Sequence, residues 1–341
     1  MSLNAPLKIG SVEVTPGILL APMEDVSEPP FRLVCRELGA DIVYTEFVNA
    51  EGLLREDPGG PRRSFHKTDF VEAERPVGIQ LYGASEFSME DATRIATELE
   101  PDLIDINCGC WVSNVALRGA GAGLLRDPEQ MQQVARRVVG ATHLPVTVKT
   151  RLGWDVSSIN IVDVAKMLEG EGIQALAIHC RTRAQGHKGD VDYSWIPKVK
   201  KAVGIPVILN GDITSAQQAA DAFTETDCDG VMIGRGAIRH PWLFSEIRHF
   251  LETGKELPAP TPRDRVELCR RHLRLAIRHI GERRAIVAMR RHYAGYFREL
   301  RGAAQVRAKL ATLRTVAEIE DRLDDLKVTL SAEPNEIPAI A

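Results

Sequence analysis

Eight short and nearly continuous apolar runs, separated by helix-like stretches, constrain the fold of this 341-residue chain more than any other feature. Continuous apolar runs are typical of parallel strands that are buried on both faces of a sheet. Strict alternation of such strands with helices predicts a (β/α)8 TIM barrel, and a doubly wound open sheet is the alternative. The predicted strands cover residues 18–22, 41–45, 77–81, 103–107, 146–149, 175–179, 207–210 and 230–234.

The sequence changes character after Leu251. Residues 254–262 form a segment rich in proline, and from there to about residue 330 the pattern is helical, without a strand-like run. We therefore predict two domains, a barrel over residues 1–253 and a C-terminal helical bundle over residues 263–330. At the other end of the chain, residues 7–14 predict a small hairpin that caps the floor of the barrel.

The formal net charge of −4 is unevenly distributed along the chain. Residues 263–314 contain fifteen lysines and arginines against four acids, a net charge of +11, so the remainder of the chain is acidic in balance. Such a segment is typical of a basic surface that meets a polyanion, although a solvated helical face has the same composition.

The overall composition is that of an ordinary globular protein, with 44% hydrophobic and 26% charged residues. The sequence contains no apolar run of about 20 residues that would suit a membrane span, and its start does not resemble a secretory signal. Six cysteines in a chain of this length do not suggest a disulfide framework. We therefore expect a reduced, cytoplasmic protein.

Polar or charged residues follow the predicted strands at their carboxyl ends, where (β/α)8 barrels hold their active sites. Two of these ends are turns that contain glycine, and such turns can close backbone N–H groups around a phosphate, although they are also common without a ligand. In chain order, the strand-end residues are Pro22, Met23, Glu46, Gln80, Asn107, Cys110, Lys149, Arg151, His179, Arg181, Asn210, Gly211, Asp212, Gly234 and Arg235.

Two of these residues carry the clearest chemical hypotheses. Lys149 is either the partner of an anion or a surface residue beyond its strand, and the apolar run before it favours the anion partner. Cys110 forms a C-x-C pair with Cys108. The pair alone is weak evidence for zinc, and no metal site is predicted. Both cysteines could be apolar fillers, but a cysteine at a strand end next to Asn107 suits a proton donor better.

The strand-end motifs, taken in order, resemble those of the tRNA-dihydrouridine synthases. The resemblance runs from residue 18 to residue 246, with the helical segment following, so it covers nearly the whole chain. The matching motifs are Leu20-Ala21-Pro22-Met23, Gln80-Leu81-Tyr82-Gly83, Asp105-Ile106-Asn107-Cys108-Gly109-Cys110, Val148-Lys149-Thr150-Arg151-Leu152-Gly153-Trp154, Ile178-His179-Cys180-Arg181-Thr182-Arg183, Asn210-Gly211-Asp212-Ile213 and Ile233-Gly234-Arg235-Gly236.

The resemblance implies a barrel that holds FMN and a helical domain that grips tRNA. By analogy, Pro22, Met23 and the backbone of Glu24 would lie against the isoalloxazine ring, while Gln80, Lys149 and His179 would bond to its polar edge. The turns Asn210-Gly211-Asp212 and Gly234-Arg235 would hold the phosphate. The residues implied to contact the RNA are Asn107, Arg151, Arg181, Arg290, Arg291 and His292.

The implied reaction is the reduction of uridine to dihydrouridine with NADPH. The uridine would be extruded from the RNA fold, hydride would reach C6 of uracil through the flavin, and Cys110 would protonate C5 as the general acid. The resemblance also implies a monomer. It leaves open which uridine is reduced and whether the RNA is tRNA or rRNA.

The chain departs from the family pattern beside the predicted acid. Trp111 stands where a proline usually follows the cysteine, and residues 112–115 lack a lysine pair that is often present. Two alternatives therefore remain, a dehydrogenase of free pyrimidines and a non-catalytic flavin- or RNA-binding module. The basic segment argues against the first because a free pyrimidine needs no phosphate grip. The presence of Cys110, Lys149 and His179 together argues against the second.

Overall fold

The computed structural model describes residues 5–55, 65–298, 300 and 302–331. Within these residues, a nine-stranded parallel sheet forms the centre of the molecule, and a two-stranded hairpin precedes it. Among the described helices, none combines the length and apolar character that crossing a membrane requires. The strands are β1 (Leu7–Ile9), β2 (Val12–Val14), β3 (Ile18–Leu20), β4 (Val43–Tyr44), β5 (Val48–Asn49), β6 (Val77–Tyr82), β7 (Leu103–Asn107), β8 (Val146–Arg151), β9 (Ala175–His179), β10 (Val207–Asn210) and β11 (Gly230–Ile233).

The parallel strands close into a barrel. Their order is β3-β11-β10-β9-β8-β7-β6-β4, and the short β5 pairs with the end of β6. A parallel bridge between Leu19 and Ile42 joins the two ends of this order, so the sheet has no open edge at that point. The predicted (β/α)8 barrel is therefore confirmed, and the alternative of an open doubly wound sheet is wrong.

The register of the strands brings predicted site residues to the same end of the barrel. Asn107 on β7 pairs with Lys149 on β8, and Arg151 on β8 pairs with His179 on β9. His179 in turn pairs with Asn210 on β10. Parallel strands all end at the same edge, so these five side chains arise from neighbouring positions.

The hairpin of β1 and β2 closes the opposite end of the barrel, as predicted. Its strands are antiparallel, and the side chains of Leu7, Ile9 and Val12 are buried. They belong to one apolar cluster with barrel-strand residues such as Leu19 and Ile208. This floor leaves the carboxyl end of the barrel as the end that can receive a ligand.

Helices cover the outside of the barrel and bury a second, larger apolar cluster against the strands. Capping residues set several of their starts. Asp127, for example, accepts a hydrogen bond from the backbone N–H of Gln130, just before a proline at the first helical position. These helices are α1 (Pro29–Glu37), α2 (Ala50–Leu54), α3 (Glu86–Glu98), α4 (Ser113–Ala116), α5 (Pro128–Ala141), α6 (Ile161–Gly170), α7 (Trp195–Lys200), α8 (Ala216–Thr226), α9 (Arg235–Arg239) and α10 (Leu243–Thr253).

The described part of the C-terminal segment is helical, with its own apolar cluster. Its first helix begins with a capping box in which Thr261 and Asp264 bond to each other's backbone N–H groups. The helices are α11 (Pro262–Ile280), α12 (Glu282–Met289), α13 (Tyr293–Phe297), α14 (Ala303–Thr312) and α15 (Val316–Ser331).

The helical segment packs tightly on the barrel. At Gly295 on α13, an added Cβ would lie 2.1 Å from the carbonyl oxygen of Ile238 on α9. Only glycine allows the two backbones to approach so closely. Tyr296 is fully buried beside this contact, and its ring meets the edge of Trp242 at 6.0 Å. The two parts of the chain are therefore closely packed at this contact.

Candidate active site

A cavity of about 700 Å³ opens at the carboxyl ends of the barrel strands. This volume lies within the range of small-molecule and cofactor sites, roughly 300–1,000 Å³. Most of the residues that the sequence predicted for the site line it. They are Pro22, Met23, Glu24, Asn107, Cys110, Lys149, Arg151, His179, Asn210, Gly211, Asp212, Gly234 and Arg235.

Two cations in the cavity bond only to neutral oxygens. Lys149 Nζ donates to Asn210 Oδ1 at 3.0 Å. Arg151 donates to three backbone carbonyls, from Nε to Gly109 at 2.8 Å and from Nη1 to Thr182 and Gly186 at 3.0 and 2.8 Å. Neither cation forms an ion pair with a carboxylate among the described residues. Buried charges are normally paired, so this wall of the cavity suits an anionic ligand.

Burial also changes the acidity of both cations. Burial, together with the positive charge of Arg151, lowers the pKa of Lys149 to about 8. Burial lowers the pKa of Arg151 to about 10 as well. Both side chains are still protonated at pH 7, but Lys149 is close enough to its pKa for its charge to respond to mild alkali.

Cys110 lies in a turn that Asn107 holds. Asn107 Oδ1 accepts hydrogen bonds from the backbone N–H groups of Gly109 and Cys110, at 3.1 and 2.9 Å. Burial raises the pKa of the Cys110 thiol, and the nearby carboxylate of Glu24 raises it further. The group is therefore a protonated thiol at neutral pH, which is the form that donates a proton.

A buried polar chain supports this turn from below. Asn107 Nδ2 donates to Gln80 Oε1 at 2.8 Å, and Gln80 Nε2 donates to Asp105 Oδ2 at 2.5 Å. Asp105 also accepts from the hydroxyl of Thr147, and burial raises its pKa to about 6. Gln80 is fully buried and does not line the cavity. Gln80 therefore supports the turn that carries Cys110, and its bond to a ligand stays a prediction.

The two glycine turns also line the cavity. Gly211 has a φ of +135°, which side chains rarely adopt. At Gly234, an added Cβ would meet only Ala21 and Met23, each at 3.7 Å. The absence of a side chain leaves the backbone accessible at this position. The carboxylate of Asp212 accepts from Arg235 at 2.9 Å and also from Arg181. Its side chain is therefore neutralised, which leaves the backbone of the turn for a ligand.

Arg181 is a predicted substrate-binding residue that the structure places behind the wall. It is 2% exposed and does not line the cavity. Its Nε donates to the carbonyl of Gly189 at 3.0 Å, its Nη2 donates to the same carbonyl and to Asp212, and its Nη1 lies 3.5 Å from Nε2 of His179. Arg181 therefore supports the Asp212 turn, and its contact with substrate stays a prediction.

Sequence reasoning missed one part of the rim. Trp111 Nε1 donates to Nε2 of His187 at 3.2 Å, and both residues line the cavity. Burial and the charges of Arg235 and Arg151 lower the pKa of His187 to about 4, so its ring is neutral and can accept this bond. His187 follows β9 in a segment without regular spacing, where neither period nor motif gave a signal.

Comparison with known proteins is decisive for the family. The family model described as dihydrouridine synthase matches residues 19–332. The chain belongs to this family. A probable tRNA-dihydrouridine synthase 1 of Synechocystis is 39% identical over 322 residues, covering 94% of this chain and 88% of that protein. A tRNA-dihydrouridine synthase B of Pseudomonas syringae is 39% identical over 302 residues, which cover 89% of this chain and 88% of that protein.

Solved structures with a similar backbone lie further away in sequence. An old yellow enzyme homologue from Zymomonas mobilis has a TM-score of 0.52 at 15% identity, covering 75% of this chain and 94% of that chain. Morphinone reductase has a TM-score of 0.53 at 14% identity, and the match covers 77% of this chain and 92% of that chain. At this level of identity, the likeness supports the barrel fold alone.

In this dihydrouridine synthase family member, the basic segment is only partly available to a polyanion. Three arginines of α11 form ion pairs within the protein, since Arg271 pairs with Glu37 and both Arg270 and Arg274 pair with Glu320. A different group is exposed and forms no ion pair with any described residue. Its members are Arg283, Arg284, Arg290 and Arg291, which we call the α12 arginines.

Two of the α12 arginines lie near the start of α1. Arg284 and Arg291 both lower the pKa of the Glu28 carboxyl, so they lie near it. Glu28 follows β3 by only a few residues and is close in sequence to Glu24, which lines the cavity. His292, the third predicted RNA contact, is 1% exposed with its ring 4.8 Å from that of Phe31. The ring is buried by this packing, and its contact with RNA stays a prediction.

Proposed function

We propose that the protein is an FMN-dependent tRNA-dihydrouridine synthase, which uses NADPH to reduce the C5–C6 bond of specific uridines in tRNA. The observation that carries the proposal is the protonated thiol of Cys110 at a cation-lined cavity on the carboxyl end of the barrel. Relatives named tRNA-dihydrouridine synthase support the substrate. A cytoplasmic, monomeric enzyme is part of the proposal.

The residues of the cavity fit a phosphorylated flavin. Lys149 and Arg151 provide positive charge that no described carboxylate neutralises. Gly211 and Gly234 keep backbone accessible where a phosphate would lie, and Arg235 adds a guanidinium at the same wall. We therefore assign the cofactor to cavity residues and to Gln80 beneath them: Pro22, Met23, the backbone of Glu24, Gln80, Lys149, His179, Asn210, Gly211, Asp212, Gly234 and Arg235.

The chemistry that a bound flavin supplies is hydride transfer, from NADPH to C6 of the uracil ring. The protein supplies the proton and the positive field. The Cys110 thiol donates its proton to C5, so that one hydride and one proton together saturate the C5–C6 bond. Lys149 and Arg151 stabilise negative charge in the cavity while this occurs. The turn that Asn107 holds keeps the thiol at the rim, where an extruded base would enter.

The proposal is tested with purified protein, FMN, NADPH and a tRNA transcript that lacks modifications. We expect a yellow protein with about one non-covalent FMN per chain, and a gain of two hydrogens at one or a few uridines, located by mass spectrometry of nuclease fragments. A matched rRNA fragment and free uracil serve as comparison substrates. Failure to bind FMN at micromolar concentration, or reduction of free uracil in preference to tRNA, would overturn the proposal.

The affinity for FMN should fall as the pH rises through about 8. The pKa of Lys149 lies near that value, and only the protonated amine attracts an anionic group, so the attraction is complete below pH 8 and lost above it. We expect a loss of about tenfold in affinity between pH 7 and pH 9.5, measured by quenching of FMN fluorescence. Lys149→Gln should bind more weakly at pH 7 and show little of this dependence. An unchanged pH profile in Lys149→Gln would contradict the assignment.

A further inference from the structure

Three side chains with metal-binding chemistry meet at the interface between the barrel and the helical segment. Glu28 precedes α1, His272 lies on α11, and His292 precedes α13. One potential ligand atom from each lies within 4.8 Å of those of the other two. None of the three lines the active-site cavity. The cluster is therefore separate from the site described above.

The cluster contains an unusual number of buried polar atoms without a bond. Glu28 Oε1, His272 Nε2 and both ring nitrogens of His292 have no hydrogen-bond partner among the described residues. The two histidines are 0% and 1% exposed. Buried polar atoms in native proteins are nearly always satisfied, so four unsatisfied atoms in one place indicate a missing ligand.

The donor set is that of a zinc site. Two imidazole nitrogens and a carboxylate oxygen form a common three-ligand set for Zn²⁺, with a fourth position open to water. His272 Nδ1 lies 2.8 Å from the hydroxyl of Tyr296, and an imidazole held in this way presents its Nε2 lone pair to a metal. Burial keeps both imidazoles in the neutral, ligating form, since it lowers the pKa of His272 to about 3 and that of His292 well below its usual value.

The spacing is compatible with one ion. Bonds of about 2.0–2.2 Å in a tetrahedral site place ligand atoms about 3.4 Å apart. Since the three atoms already lie within 4.8 Å of one another, each needs to move by less than about 1 Å to reach a common centre. The ring of Phe31 lies 4.8 Å from His292 and 5.8 Å from His272, and it limits the rotation of both imidazoles.

We propose that Glu28, His272 and His292 bind one Zn²⁺ ion, which joins the barrel to the helical segment. The site takes one ligand from the loop after β3 and two from the helices that follow the linker. It would act as a fixed structural link between the two parts of the chain. The proposal does not depend on the reaction assigned to the cavity.

The experiment uses full-length protein that has been dialysed against a chelator, then against excess Zn²⁺, and finally against buffer without metal. Elemental analysis should give about one zinc per chain, and the midpoint of thermal unfolding should rise by a few degrees with Zn²⁺. Co²⁺ used in place of Zn²⁺ should give the visible absorption of a tetrahedral site without thiolate charge-transfer bands, which separates this site from binding at Cys108 and Cys110.

His272→Gln and His292→Gln should each lose both the bound zinc and the thermal shift. His66→Gln, which changes an exposed histidine on the barrel, is the matched control and should keep both. Glu28→Gln is included because a histidine substitution in the buried cluster could prevent folding. It keeps the shape of the side chain and removes only the charge, so it should fold and bind less zinc. Protein without retained zinc, or zinc retained equally by His292→Gln and Glu28→Gln, would overturn the proposal and leave an ordered water as the occupant.

Discussion

Replacing Cys110 by alanine should lower the rate of uridine reduction by about 10²–10⁴-fold, the usual contribution of a positioned general acid. NADPH oxidation in the absence of RNA should stay near the wild-type rate, because that half of the reaction needs no proton at C5. The two rates are measured separately, by single-turnover formation of dihydrouridine and by the loss of NADPH absorbance. Excess NADPH should not rescue the variant.

Cys108→Ala is the matched control for this prediction. Its thiol is 1% exposed, does not line the cavity and lies just before the turn that carries Cys110. We expect a modest loss of stability and little change in the chemical step. If Cys108→Ala abolished product while Cys110→Ala did not, the acid would be assigned to the wrong cysteine.

The pH dependence provides an independent check on Cys110. Its pKa is raised above the ordinary value of 9.0, so the thiol is still protonated at pH 9 and loses its proton only at higher pH. Deprotonation of Lys149 should lower the rate near pH 8 in every variant that keeps this lysine. Since the protonated thiol is the active form, the wild-type protein should show a further decline above about pH 9. Cys110→Ala should lack this decline. Loss of the proton-donating form well below pH 9 would contradict the raised pKa.

Replacing Arg290 and Arg291 together by alanine should weaken RNA binding by roughly 10–100-fold at 0.1 M salt. Both guanidiniums are exposed and belong to the α12 arginines, which have no ion-pair partner among the described residues. Each lost phosphate contact should also lower the slope of log affinity against log salt by about 0.7–0.9. Affinity is measured by filter binding across a salt titration, and flavin reduction by NADPH should be unaffected.

Arg271→Ala combined with Arg274→Ala is the control with the same change in charge. These two arginines form ion pairs with Glu37 and Glu320, so their charge is already compensated within the protein. Exposed ion pairs of this kind contribute little to stability, about 0–1 kcal/mol each. We expect a much smaller loss of RNA affinity than in the first pair. Equal losses in the two double variants would mean that only the total charge of the segment matters.

The sequence predicted the barrel and most of the residues that line its cavity because both follow from short-range pattern. Apolar runs define the strands, and the residues after them, such as Lys149 and Asn210, must appear at one end of a closed parallel barrel. The pattern does not reveal whether a side chain at a strand end reaches the cavity or lies behind its wall. Gln80 and Arg181 also lie at strand ends, yet Gln80 bonds beneath the Cys110 turn and Arg181 bonds behind the Asp212 turn. Position along a strand does not determine which neighbour a long side chain reaches.

Long-range packing accounts for the other differences. His292 lies in a basic stretch that reads as a surface, but packing against Phe31 in α1 buries it. The net charge of +11 over residues 263–314 likewise does not show that several α11 arginines pair with acids of α1 and α15. The grouping of Glu28, His272 and His292 joins positions more than 200 residues apart in the chain. No spacing rule over a local window detects such a cluster.

The close contact at Gly295 has a bearing on how one uridine is selected among many. An interface without room for even a methyl group at that position does not serve as a hinge. Cys110 and the α12 arginines would then keep a constant distance from each other. If the arginines hold phosphates as proposed, we expect reduction only of a uridine that the RNA fold sets at that distance from those phosphates. Selectivity would thus be measured along the shape of the RNA, with little reading of the neighbouring bases.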